Sequence, residues 1–250
     1  MPMPVPCIVA ACGSGQNAAS SPLLDGLIEY FSLNIASGGL TGLHSGITLT
    51  NAGDVSSGTG HVYASSGDFP ELATAQLYTD AAALKNLTAE RQDFEIAFWM
   101  YVRSLYVTKP PYRGVIANSS FRKGFSIKIA DNNAIAFTVA DQLTNSFAVV
   151  HASLLALSQW QLTHFLFRYR DNGGTDEGKL EAGVNGTLTA ATAWIAGLTQ
   201  AASNDLNFGA NGADLPDMLL GPALFYDRVL TSDERTQLYN GGAGLKYAEL

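Results

Sequence analysis

Two pairs of carboxylates sit at spacings that place both members on one face of an extended strand: Asp93 with Glu95, and Glu177 with Glu181. Paired carboxylates are the machinery of glycoside hydrolysis, which needs them about 5 to 5.5 Å apart to retain configuration and about 6.5 to 9.5 Å apart to invert it. Their neighbours argue against that chemistry. Beyond Glu95 the same face continues as Ala97, Trp99 and Tyr101, and Lys179 lies between the second pair, where its ammonium would neutralise them. Both pairs read as solvated strand ends. Nucleophilic catalysis fares no better. His44, His61, His151 and His164 are scattered, no Gly-x-Ser-x-Gly elbow occurs, and Cys7 and Cys12 lie in an N-terminal arm. His164 alternates with Leu162 and Leu166, which predicts a hydrogen-bonded histidine at a sheet surface. No enzymatic activity is expected.

Binding chemistry has more to work with. A hard cation wants clustered carboxylate and carbonyl oxygens, and Asp171 with Asp176 in one loop, and Asp214 with Asp217 in another, are the places to find them. The same Asp, Asn and Gly residues are what tight turns require for backbone reasons, and the first loop has Ala182 where an EF-hand needs its bidentate Glu. Turn chemistry is the stronger reading, so no cofactor is expected, and calcium at Asp171, Asp176 and Asp214 is the metal these loops would suit. Sugar recognition would use an exposed ring whose face stacks on a pyranose. Tyr106 and Tyr112, around Lys109-Pro110-Pro111, and Trp194 in an Ala- and Thr-rich connection are the candidate rings.

Composition narrows the partners. A net charge of −8 with only 14 Lys and Arg leaves no basic stripe for phosphates, so nucleic acid is not an expected partner. No apolar run approaches the roughly twenty residues of a membrane span. Charged residues make up 14% of the chain and apolar ones 47%, so Ser, Thr, Asn, Gly and Ala must form much of the surface, which suits dense packing against neighbours or a polyol ligand. Val9-Ala10-Ala11-Cys12 has the form of a lipobox, but the segment before it has no Lys or Arg and three prolines, which does not fit a signal peptide. Cys7 and Cys12 would form a small loop-closing bridge or stay free thiols. Residues 1–22, Pro-, Gly-, Ser- and Ala-rich, read as an extended arm whose Pro4, Pro6, Cys7 and Cys12 would lie along a partner.

The remaining elements must form a scaffold. Positions 93–103 alternate with period two, setting Phe94, Ile96, Phe98, Met100 and Val102 against Glu95, Ala97, Trp99 and Tyr101, a core face and an amphipathic face. Short strands follow at 114–118, 124–130, 134–140, 146–152, 160–170 and 179–184, separated by Asn- and Asp-rich turns, with earlier extended pieces at 26–31, 47–50 and 61–64. At 250 residues this pattern fits one all-β sandwich over 23–250. Near the C-terminus, Thr231 with Glu234 is a capping box, predicting a helix from Ser232 that ends at Asn240-Gly241. About two turns long, that helix is too short to be stable alone and must dock.

The run Leu220 to Arg235 closing on Leu238-Tyr239-Asn240-Gly241-Gly242, together with Trp160 and Asn185-Gly186, resembles the laminin-G-like, concanavalin A-like lectin/glucanase family. The resemblance covers roughly residues 23–247. It implies a two-sheet antiparallel jelly roll with one short C-terminal helix packed on its final strand. It transfers no ligand residues, because no motif carrying them occurs here. Domains ending in this way are common in bacteriophage structural proteins and secreted bacterial proteins. The sequence thus leads to the expectation of a non-catalytic virion component, a capsid-decoration or tail protein, oligomeric in an assembly that it joins through the arm, with glycan contact by its loops. The alternative is a carbohydrate-binding lectin module, extracellular or at a bacterial cell surface and calcium-dependent if the Asp loops bind metal.

Overall fold

In the computed structural model the described residues are 21–53, 55–70, 75–104, 112–117, 123–130, 134–141, 146–154, 156–198, 205–209 and 217–250. Residues 1–20 and Tyr106 and Asp214 lie outside them, so the expectations placed on Pro4, Pro6, Cys7 and Cys12 do too. The first strands are short: β1 (Leu27–Phe31), β2 (Thr50–Gly53), β3 (Ser56–Thr59), β4 (Ser65–Phe69) and β5 (Gln76–Thr79), then a single helical turn, α1 (Ala82–Lys85). The long strands that follow are β6 (Phe94–Ser104), β7 (Tyr112–Ala117), β8 (Lys123–Ala130), β9 (Ala134–Asp141), β10 (Ser146–Leu154), β11 (Trp160–Asp171) and β12 (Asp176–Val184). After them come β13 (Thr187–Ala191), β14 (Ile195–Ala196), β15 (Leu206–Gly209), β16 (Asp217–Tyr226) and the helix α2 (Ser232–Tyr239).

Two antiparallel sheets result. One runs β13-β12-β11-β6-β16-β4-β3, with β1 also on β16 and β14 on β12; the other runs β10-β9-β8-β7-β15-β5-β2. Alternation explains why they stack. Phe94, Ile96, Phe98, Met100 and Val102 of β6, Phe165 and Phe167 of β11, and Phe125, Ile127, Phe137 and Val139 of the facing sheet all point inward and form one continuous core. Phe94 stacks on Phe167 with ring centroids 5.2 Å apart, and Phe137 lies 5.5 Å from Phe165 across the layers. The Asn185-Gly186 pair turns β12 into β13, both residues with positive φ (52° and 81°), the geometry of a tight hairpin that Asn-Gly favours.

Three expectations need correction. The segment 61–64 is a turn, and the strand beyond it begins at Ser65. The outward face of β6 is not amphipathic surface, since Glu95, Ala97 and Trp99 are buried in a second, smaller core. That core forms because α2 and the tail after it fold back over the sheet and bring Leu230, Leu238 and Leu250 onto Leu162, Leu224, Tyr226 and Trp99. His164 is likewise buried instead of lying at a sheet surface. A two-turn helix gains its stability from such docking and not from its own hydrogen bonds.

The capping box forms as expected: Glu234 N–H donates to Thr231 Oγ1 at 3.2 Å, and Thr231 N–H to Glu234 Oε2 at 2.7 Å. Asn240 ends the helix in the left-handed region. Beneath it, Arg235 donates through Nε and Nη2 to Glu95 at 3.0 and 2.9 Å, and His164 Nδ1 lies 2.9 Å from the same carboxylate. A carboxylate can only accept, so Nδ1 carries the hydrogen. Burial pushes the Glu95 carboxyl up, but the hydrogen bonds and charges of His164 and Arg235 outweigh it and hold the group below its ordinary value. Glu95 is therefore a docking group for the helix and not a solvated strand end.

Candidate functional site

The outer face of the larger sheet beyond the C-terminal tail carries a cleft, and strand register builds its floor. Trp160 opens β11 opposite Tyr101 of β6. Tyr101 stands opposite Leu219 of β16, Leu219 opposite Asp68 of β4, and Asp68 opposite Ser56 of β3. Directly opposed residues of antiparallel strands project from the same face. One transverse row thus sets an indole, a phenol, a leucine and a carboxylate side by side.

Alternation along β6 adds Arg103, two positions beyond Tyr101. A register shift between Asp217 and Met218 accompanies the placement of Asp217 beside it. Arg103 Nε donates to Asp217 Oδ1 at 2.6 Å, Nη1 donates to Asp68 Oδ2 at 3.3 Å, and Nη2 pairs with both Asp68 and Asp217. Hydrogen bonds to Asp68, then Asp217, push the guanidinium further above its ordinary value than partial burial lowers it. The fork is fixed in direction before any ligand arrives.

The walls follow from small residues and stacked rings. Ser57, Gly58 and Thr59 of β3 form the wall on one side; by alternation Ser56 and Gly58 share the face of Asp68, while the Ser57 and Thr59 side chains project to the other. Between them Gly58 lies flat on Leu219: a Cβ there would stand 2.5 Å from Leu219 Cδ2. On the other side the Trp160 and Tyr101 ring centroids are 5.7 Å apart at 52°. Trp160 is backed by His61 at 5.4 Å and 17°, and His61 lies 4.5 Å from Trp99. Trp99 in turn stacks on Tyr239 of α2 at 6.0 Å, so a run of rings joins the cleft to the docked helix. The cleft encloses about 520 Å³, within the usual range of small-ligand sites.

The residues singled out from the sequence lie elsewhere. Trp194 is partly buried in the connection from β13 to β14, and the Arg170 guanidinium covers one face of its ring at 4.3 Å. Asp171 and Asp176 are register partners at the turn end of the β11–β12 hairpin. Asp171 Oδ1 accepts from Gly174 N–H at 2.7 Å, and Asp176 accepts from the Tyr169 hydroxyl at 2.8 Å and pairs with Arg91 at 3.0 Å. They come together as turn and hairpin groups. Among the described residues no group of three His, Cys, Asp or Glu side chains is arranged to hold a metal ion. Tyr112 lies in β7, its side chain outside the described set.

The carboxylate pairs are engaged by cations and are not bare. Arg168 contacts both Asp93 and Glu181 at 3.3 and 3.1 Å, Lys179 reaches Glu181 at 2.7 Å, and Arg170 Nε donates to Glu177 at 2.7 Å. The cleft residues were missed because their signal is tertiary. Arg103 on an alternating face otherwise occupied by Trp99 and Tyr101 was the one available hint of a polar end to that face.

A profile of the concanavalin A-like lectin/glucanase superfamily, laminin-G type, matches residues 74–234. The chain belongs to that superfamily. Its two-sheet jelly roll with a short C-terminal helix is the fold of that group, and solved structures agree. The receptor-binding domain of botulinum neurotoxin type G superposes with a TM-score of 0.65 at 14% identity, covering 87% of this chain and 51% of that one. A structure of botulinum neurotoxin type C, whose cell entry is dependent upon interaction with two ganglioside molecules, gives 0.67 at 15% over 88% and 52%. The binding domain of Paraclostridial mosquitocidal protein 1 gives 0.66 at 15% over 88% and 53%. At such identities the likeness is one of fold, and this lectin-fold chain spans about half the length of those structures. A comparison with curated proteins finds no match.

Proposed function

We propose that this lectin-fold domain is a non-catalytic carbohydrate-binding module that takes its glycan in the cleft between Trp160, Tyr101 and Arg103. One observation carries the reading: two partly exposed aromatic rings stand on one transverse row with Asp68, and Arg103, fixed by Asp68 and Asp217, stands two residues along β6 on the same face. Ring faces cover the apolar side of a pyranose, while orientated donors and acceptors read its hydroxyls. Binding without catalysis is supported by the engagement of Asp93, Glu95, Glu177 and Glu181 with Arg or Lys partners. That the structural relatives include receptor-binding domains of toxins is in keeping with this reading. An extracellular or cell-surface setting follows from such a role. The virion-component reading rests on the arm, the absence of an export signal, the charge-poor composition and the resemblance of the C-terminal run, and nothing among the described residues or the relatives adds to it.

The test is a glycan array with the full chain, followed by titration of the best ligand against Trp160→Ala. A bound glycan whose affinity falls at least about tenfold in W160A is expected, since loss of one stacking ring is of that order. An array without a binder, or W160A binding as the parent does, would sink the proposal.

A further inference from the structure

The charge balance of the cleft goes one step beyond sugar binding, and it rests on that reading of the site. Asp68 lines the cleft and Asp217 stands behind Arg103, so two carboxylates meet one guanidinium and leave one net negative charge. Arg103 is the only cationic side chain among the described lining residues, and four of its five N–H groups face those carboxylates: Nε on Asp217, one of Nη1 on Asp68, and those of Nη2 on both. What is left to a ligand is one Nη1 N–H, the Tyr101 hydroxyl and free lone pairs of the carboxylates. The Tyr101 hydroxyl makes no hydrogen bond to any described residue, and it both donates and accepts, the chemistry that complements a sugar hydroxyl.

We propose that the cleft selects uncharged glycans and rejects those bearing a carboxylate or sulfate. An acidic sugar would bring a second negative charge against Asp68 and Asp217 in a partly desolvated cleft, where the one cation is already outweighed by those two carboxylates. Two like charges a few ångströms apart near a protein surface repel strongly enough that discrimination of at least about tenfold is expected. The same repulsion is screened by salt.

The experiment pairs neutral oligosaccharides with their sialylated and sulfated counterparts, titrated against the full chain and against Asp217→Asn. The Asn variant keeps the Asp68–Arg103 pair while making the cluster neutral. The proposal expects acidic ligands to bind at least about tenfold more weakly than neutral ones, a gap that narrows in D217N and at raised ionic strength. Acidic glycans bound as tightly as neutral ones would overturn it while leaving sugar recognition standing. A preference unchanged in D217N would also overturn it, since the selection would then not come from this charge. If no glycan of either class binds, the carbohydrate reading fails as well.

Discussion

Arg235 of the C-terminal helix and Glu95 of β6, separated by 140 residues in sequence, form a bidentate ion pair in which the Glu95 side chain has no solvent exposure and that of Arg235 has 5%. With Leu230 N–H donating to Glu95 Oε2 at 2.9 Å and His164 on the other oxygen, this carboxylate is the polar anchor of the second core. The apolar contacts around it supply attraction, and the ion pair fixes where the helix sits.

Removing the Glu95 carboxylate alone should cost more than removing it together with Arg235. Arg235→Ala leaves a buried carboxylate without its cation and is expected to destabilise the fold by about 3 to 5 kcal/mol. The double replacement Glu95→Leu with Arg235→Ala should cost less than Glu95→Leu alone, because no guanidinium is then left buried without its carboxylate, while Leu230 N–H and His164 lose their acceptor in both. Urea denaturation of the parent, the two single variants and the double variant measures the difference as a coupling energy.

Acid should loosen this region first. Glu234 is held at about 2, chiefly by hydrogen bonds from Arg228, against an ordinary 4.5. A carboxyl whose folded value is depressed contributes stability that is fully present above its unfolded value and is lost as pH falls through the folded one. The contribution is therefore complete above pH 4.5 and disappears toward pH 2. Glu29 and Glu95 are shifted in the same direction and add to the loss. Thermal melts from pH 7 to pH 2 should show a falling midpoint below pH 4.5, with a shallower fall in Glu234→Gln than in the parent.

Glu29 organises the loop after β1. Its carboxylate accepts from the backbone N–H groups of Tyr30, His44, Ser45 and Ile47 and from the Ser45 hydroxyl, at 2.8 to 3.2 Å. An amide has one acceptor oxygen in place of two, so Glu29→Gln strands buried donors and is expected to cost at least about 2 kcal/mol. Hydrogen exchange should lose protection at His44, Ser45 and Ile47 ahead of the sheet. Gly42 packs on this group: a Cβ there would stand 2.0 Å from Glu29 Cδ, so Gly42→Ala should perturb the same loop.

Gly221 sets the position of the cleft's indole. A Cβ at this residue would lie 3.1 Å from Trp99 Cβ and 3.3 Å from Trp160 Cζ3. Gly221→Ala should therefore displace Trp160 at a cost of about 1 to 3 kcal/mol in stability. Glycan affinity should fall in this variant although no atom of the cleft has been removed, which titration alongside W160A will show.

Period-two alternation in β6 and β11, the Asn185-Gly186 turn and the Thr231/Glu234 capping box were all legible from residue order, because each is a contact between near neighbours along the chain. They determined an all-β sandwich with one short helix. What the sequence did not determine was the fate of the second face of β6. Whether Glu95 and Trp99 meet water or a core depends on which way the last twenty or so residues fold. The cleft lay equally out of reach, since Trp160, Tyr101, Leu219 and Asp68 come from four strands and meet only through cross-strand register. Register is set by the packing of whole sheets, so the tertiary structure alone could bring Arg103 between Asp68 and Asp217.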